Sequence, residues 1–250
     1  MKNNKSLSIK RLAIIGMLGG ISAILGMTPL GFIPIGPANA TIMHIPVIIG
    51  AIIEGPVVGA LVGLIFGIFS IIRAITAPTV ISPLFYNPLV SILPRVLIGI
   101  TTYYSYILFK RLNKRTSIVI LAGLWASVFL YLVNSLINQL ALTSLGDKNV
   151  IFTIILIIMT LFIGYYSYRK FKGEAVEIVV SAAIGTLTNT IGVLSMIYFI
   201  YGEKFVELIG GDTRFIGKAI MAIGVANGIP EVIVAMIIVS GVVMGLKKKS

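Results

Sequence analysis

The sequence has no cysteine, one histidine and only eight acidic residues in 250. Without cysteine there is no disulfide, no thiolate nucleophile and no sulfur-ligated metal site. A lone histidine, His44, leaves no pair for a zinc centre, so metalloprotease chemistry lacks its ligands. Charged residues make up 11% of the chain, where soluble domains carry about 25%. With 58% hydrophobic residues and a mean hydropathy of +1.06, a soluble fold would have to hide more apolar surface than one core can hold. This composition argues against a cytosolic enzyme and excludes disorder. A nucleotide-binding P-loop is missing too. Gly217-Lys218 is followed by Ala219, and Gly211 stands one residue too far upstream. If ATP powers this protein, another chain must bind it, and no motif asks for a cofactor.

What is present is a series of apolar runs. A bilayer-spanning helix needs about 20 such residues. The runs are 12–27, 42–53, 57–72, 89–109, 117–140, 150–168, 176–201 and 226–246. The first follows a basic leader with Lys2, Lys5, Lys10 and Arg11. No small-x-small cleavage site follows it, so it reads as a retained helix rather than a signal peptide. Two Pro-rich loops, 28–39 with Pro29, Pro34 and Pro37, and 74–87 with Pro78 and Pro83, are too rich in unpaired backbone to face lipid. Ser117 to Tyr168 forms a hairpin around Gly146-Asp147-Lys148-Asn149. The segment from Gly202 to Thr213 is polar, and 214–225 reads as an interfacial helix or the first turns of the last span.

Eight spans put both chain ends on one side. Fourteen of the 20 basic residues then fall on that side, and the other six are Arg73, Arg95, Lys148, Lys204, Arg214 and Lys218. The positive-inside rule makes that side cytoplasmic. The net charge of +12 is thus read as membrane anchoring, not as a nucleic-acid surface.

Polar groups inside a bilayer cost free energy, so each needs a reason. Arg95 lies seven residues into the fourth span, about 10 Å from its outer end. Pro94 before it frees a backbone carbonyl as an acceptor. Asn227 and Glu231 are four apart and share a helix face near the outer end of the last span. Asn189 sits mid-span in Thr188-Asn189-Thr190. These four form either a satisfied network, with Arg95 paired to Glu231, or a polar cup open to the outside. The cup is the reading preferred here. His44 and Asn87 stand where the outer loops enter their helices, as caps or as ligand contacts. Asn39-Ala40-Thr41 is a weak glycosylation match.

Small residues recur at Gly55, Gly59, Gly63 and Gly67, a pattern of close helix packing. Ala13, Gly16 and Gly20 in the first span fit either packing or a docking face for a partner. Trp125 and the Tyr103-Tyr104 pair read as lipid or packing residues. Asn134, Asn138 and Gln139 read as groups that hold the hairpin helices together.

The run Ala40-Thr41-Ile42-Met43-His44-Ile45-Pro46-Val47-Ile48-Ile49-Gly50-Ala51, then Gly55-Pro56 and Gly59, resembles the substrate-binding S components of energy-coupling factor (ECF) transporters. So do Pro94-Arg95-Val96-Leu97-Ile98-Gly99, Thr188-Asn189-Thr190 and Asn227-Gly228-Ile229-Pro230-Glu231. The resemblance implies an all-α polytopic membrane bundle with a six-helix core, to which this chain adds a two-helix hairpin. The whole reads as a single membrane domain over 1–250, with four spans in 10–110, the insert at 116–169 and two spans in 175–246. It also implies capture of a water-soluble vitamin from outside, by a subunit that docks on a transmembrane T protein carrying two ATPases. Gly16 and Gly20 map onto the small-xxx-small motif that meets the T protein. Arg95, Asn189, Asn227 and Glu231 map onto ligand roles, with no catalytic or metal-binding residues.

Pantothenate is the first expected cargo, since the Ala-Thr-Ile-Met-His-Ile-Pro run looks most like that branch and Arg95 suits a carboxylate. Riboflavin, folate and thiamine precursors stay open, although the outer loops offer few stacking aromatics (Phe32, Phe85, Tyr86). A secondary transporter using Glu231 as a proton or sodium site is the alternative. An intramembrane enzyme is the least supported reading.

Overall fold

In the computed structural model the described residues are 8–35, 38–142, 148–171, 175–211 and 213–247. Lys2, Lys5, Pro37, the Gly146-Asp147 pair, Lys172, Lys248 and Lys249 lie outside them. The chain runs through α1 (Ile9–Met27), a ribbon of β1 (Phe32–Ile35) and β2 (Ala38–Thr41), α2 (Ile45–Glu54) and α3 (Pro56–Thr76). It continues through α4 (Pro88–Ser91), α5 (Leu93–Lys110), α6 (Lys114–Leu142), α7 (Lys148–Phe171), α8 (Val176–Leu208) and α9 (Ile216–Lys247). The all-α membrane bundle read from the sequence is what forms. The antiparallel ribbon, with Phe32 opposite Thr41, is an addition to it.

Prolines mark helix starts rather than interiors: Pro46, Pro56, Pro88 and Pro94 each occupy a first turn, where the missing N–H costs nothing. Pro230 alone lies inside a helix. At its start α1 is tied to the end of α2 by Lys10 and Arg11, which reach Glu54 at 3.5 and 3.4 Å. Gly55 turns the chain from α2 into α3 with φ of +100°, a backbone state that a β-carbon would strain. Lys10, Glu54, Lys110 and Leu246 surround one groove, so both ends of the described chain lie at the same end of the bundle. The ribbon, the segment 77–87 and the turn 213–215 lie at the other end.

Helix packing here follows the small residues. A methyl group at Gly59 would sit 2.6 Å from Ala51 Cβ and 2.9 Å from Gly99 Cα. One at Gly67 would sit 2.8 Å from Ile92 Cα, and one at Gly63 would collide with the Arg95 carbonyl. These glycines let α3 and α5 touch backbone to backbone, which is how helices associate where lipid offers no hydrophobic contrast. Near its middle α9 is buried on nearly all sides, with Val234, Ala235, Met236 and Ile237 enclosed in succession. That explains why its sequence is apolar all round.

The structure corrects or sharpens the sequence reading of four segments. The segment read as a span at 42–53 is a ten-residue helix, about 15 Å long and so half a bilayer. Among the described residues six helices are long and apolar enough to cross a membrane, while Ile45–Glu54 and the stretch Val150–Tyr165 of α7 are shorter. The fourth span is broken at Ile92 into α4 and α5, which places Arg95 in the first turn of α5. Residues 202–208, the first part of the segment read as polar, stay helical beyond a kink at Tyr201 (φ −137°, ψ 22°). Most of 214–225 supplies the first turns of α9, one of the two readings given for it, so Asn227 lies about 16 Å into that helix rather than near the outer end of a span that starts at 226.

The apolar hairpin read from the sequence at 117–168 is a pair of helices, α6 and α7. Trp125 on α6 is buried against Gly164 of α7, and Thr153 of α7 donates to Gln139 Oε1 of α6 at 3.2 Å.

Candidate functional site

Below the ribbon end lies a cavity of about 240 Å³. Arg95 from α5, Asn189 from α8, and Asn227 and Glu231 from α9 all line it, with Thr190 and Phe85. Each arrives by a separate local device. The Arg95 side chain begins where Pro94, having no N–H, cannot engage the carbonyl four residues back, that of Val90. The guanidinium takes up this carbonyl, with Nη1 donating to Val90 O at 2.5 Å. Its planar face is flanked by aromatics, with the guanidinium carbon 5.5 Å from the Phe66 ring centroid and 5.8 Å from that of Phe85. The Nε of Arg95 is buried with no hydrogen-bond partner.

Glu231 is held by three donors. The Thr41 backbone N–H and hydroxyl reach Oε1 at 3.1 and 2.5 Å, and the Thr190 hydroxyl reaches Oε2 at 3.2 Å. The carboxylate therefore ties the ribbon, α8 and α9 together. Arg95 and Glu231 face the same cavity, but no salt bridge joins them. The direct pair weighed from the sequence does not form. Asn189 is also buried, and its Oδ1 has no partner. Asn227 is half-buried on the cavity wall.

The cavity thus holds a cation, an anion and amide groups, with one donor and one acceptor unsatisfied. Buried polar atoms are normally paired, so orphans that meet in one hollow mark a place for another molecule's polar groups. The remaining walls are apolar, from Val193, Leu194, Ile197 and Phe205.

His44 and Asn87 do not line this cavity. His44 is fully buried at the start of α2, with Nε2 3.0 Å from the Thr186 hydroxyl, one turn before Thr190 on α8. Asn87 caps α4, since its Oδ1 accepts from the Leu89 N–H at 2.9 Å and its Nδ2 donates to the Tyr201 hydroxyl at 3.2 Å. Thr41, Thr190, Phe66 and Phe85 were not singled out as site residues. Thr41 and Thr190 each sit within a quoted motif, yet hydroxyls are so common in membrane helices that neither stood out. Of the chain's Gly-rich faces, that of α1 is the open one. A methyl group at Gly16 or Gly20 would meet nothing within 4 Å, and Ala13 and Gly16 are exposed. Among the described residues no group of three or more His, Asp or Glu side chains is placed to hold a metal ion.

A bundle of apolar helices around a small polar hollow is the architecture of a multi-pass membrane protein that accommodates a small solute. The family model described as "ECF transporter, substrate-specific component" matches residues 10–149 and 118–243. The chain belongs to that family, whose members are transport proteins and not enzymes. It is also 36% identical over 84 residues to the Pantothenic acid transporter PanT of Lactococcus lactis subsp. cremoris (strain MG1363). That match covers 28% of this chain and 43% of the relative, less than half of its length.

Proposed function

We propose that this chain is the high-affinity capture subunit of an ATP-driven importer, with pantothenate as its cargo. The observation that carries the reading is the convergence of Arg95, Asn189, Asn227 and Glu231, from three helices, on one cavity. A carboxylate of the cargo would meet the unpartnered Nε of Arg95, and its hydroxyl or amide N–H groups would meet Asn189 Oδ1 and Glu231. The partial match to a pantothenic acid transporter supports the same cargo. With no nucleotide-binding motif of its own, the chain would rely on a T protein and two ATPases. The open α1 face at Ala13, Gly16 and Gly20 suits close approach of such a partner helix. The 14 basic residues that the sequence reading assigns to the side of the chain ends support, by the positive-inside rule, cytoplasmic termini and a cavity towards the outside.

The test is to purify the chain, identify by mass spectrometry the molecule that stays with it, and compare uptake with and without the energising subunits. Pantothenate in the purified protein and uptake only with the ATPases are expected. Glu231, an anion buried under three donors, is what favours the second reading, an ion-coupled carrier. Gradient-driven accumulation in cells lacking any energising module would select that reading.

A further inference from the structure

A hollow of another kind has its mouth at the end of the bundle opposite the cavity. A groove of about 940 Å³ runs between α1 and α9 over α2. Its walls are apolar along their length, with Ile14, Met17 and Ile21 from α1, Ile49 from α2 and Val242 from α9. The protein does not fill it: Met17, Ile21 and Val242 stay 59%, 42% and 40% exposed. Charge occurs only at the mouth, on Lys10, Glu54 and Lys110. Glu54 is already engaged by both Lys10 and Arg11, so the mouth keeps a net positive character. Lys10 remains 79% exposed even so. The Lys110 ammonium lies 5.8 Å from the ring centroid of Tyr106, itself a wall of the groove.

The groove's length suits a lipid. From Lys10 to Leu25, α1 covers about 22 Å at 1.5 Å per residue. One leaflet offers about 15 Å, half of a hydrocarbon core of about 30 Å. At 100° per residue, the groove-lining face of α1 is turned by about 120° from the face of Gly16 and Gly20. The groove is therefore a separate surface from the glycine face.

We propose that this groove holds an acyl chain of an anionic phospholipid, with the lipid phosphate at Lys10 and Lys110. An apolar trough open to the bilayer takes a hydrocarbon tail, and basic pockets between helix ends favour anionic headgroups. A zwitterionic lipid offers the same tail but its own cation opposes the two lysines.

Native mass spectrometry of the full chain in detergent tests this, with phosphatidylglycerol and phosphatidylcholine of identical acyl chains titrated in turn. Retention of phosphatidylglycerol at roughly 25-fold lower concentration is expected, about fivefold from each of the two lysines. K10Q/K110Q abolishes that preference, K10R/K110R keeps it, and I21W weakens retention of both lipids. K218Q, at the far end of α9, leaves the preference as it was. Equal retention of the two lipids by the wild-type chain would overturn the proposal. So would a loss of preference in K218Q as large as in K10Q/K110Q, or complete displacement of the lipid by glycerol phosphate alone. None of these outcomes depends on the cargo, so this proposal and the vitamin reading fail separately.

Discussion

Thr41 donates both its backbone N–H and its hydroxyl to one carboxylate oxygen of Glu231, at 3.1 and 2.5 Å, across 190 residues of sequence. This contact fastens the outer ribbon onto α9 at the edge of the polar cavity. Cargo that enters the cavity meets a carboxylate already aimed and partly satisfied.

Removing the hydroxyl alone leaves the backbone donor in place. T41V is expected to weaken cargo binding by about tenfold, since a hydrogen bond to a charged group contributes about 1.5 kcal/mol. Rapid-mixing measurement of release would show it as a faster off-rate. An unchanged off-rate would detach the ribbon from the site.

Gly59 and Gly16 should respond in opposite ways to added bulk. G59V forces a side chain into Ala51 and Gly99, and overpacking of this kind costs about 1–3 kcal/mol. A lower unfolding temperature in detergent is the readout. G16L has open space around it and is expected to leave that temperature unchanged. It should still abolish co-purification with a T protein while sparing cargo binding. Retained complex formation would place the docking face elsewhere.

Asn87 separates structural from cargo roles at the ribbon end. N87A removes the cap of α4, at a cost of about 1 kcal/mol to stability. Because the side chain points at Leu89 and Tyr201 rather than into the cavity, affinity for cargo should change less than twofold. A large loss of affinity with unchanged stability would make Asn87 a ligand contact.

Much of this architecture was legible in the residues. Apolar runs located the helices, and the missing N–H of Pro94 pointed to an available carbonyl, which Arg95 occupies. The four cavity residues were legible because polar groups inside a bilayer are few. The run at 42–53 was overcounted because apolar character alone does not make a span: its end at Glu54-Gly55 is where the turn residues put it, but the helix begins only at Ile45 and its ten residues reach about half a bilayer. The kink at Tyr201 leaves the chain helical to Leu208, since polar residues such as Glu203 and Lys204 form helix readily. The role of Thr41 was hidden because it arises from a contact between segments 190 residues apart in the chain. No local pattern encodes that contact.

The central claim is that Arg95 meets the cargo. Equilibrium binding of labelled pantothenate to the purified chain, wild type against R95A, tests it most directly. The charge-assisted contact predicts a loss of about 3 kcal/mol, more than a hundredfold in affinity. R95K recovers only part of this loss, because an ammonium lacks the planar fork that stacks between Phe66 and Phe85. Equal binding by wild type and R95A would contradict the account.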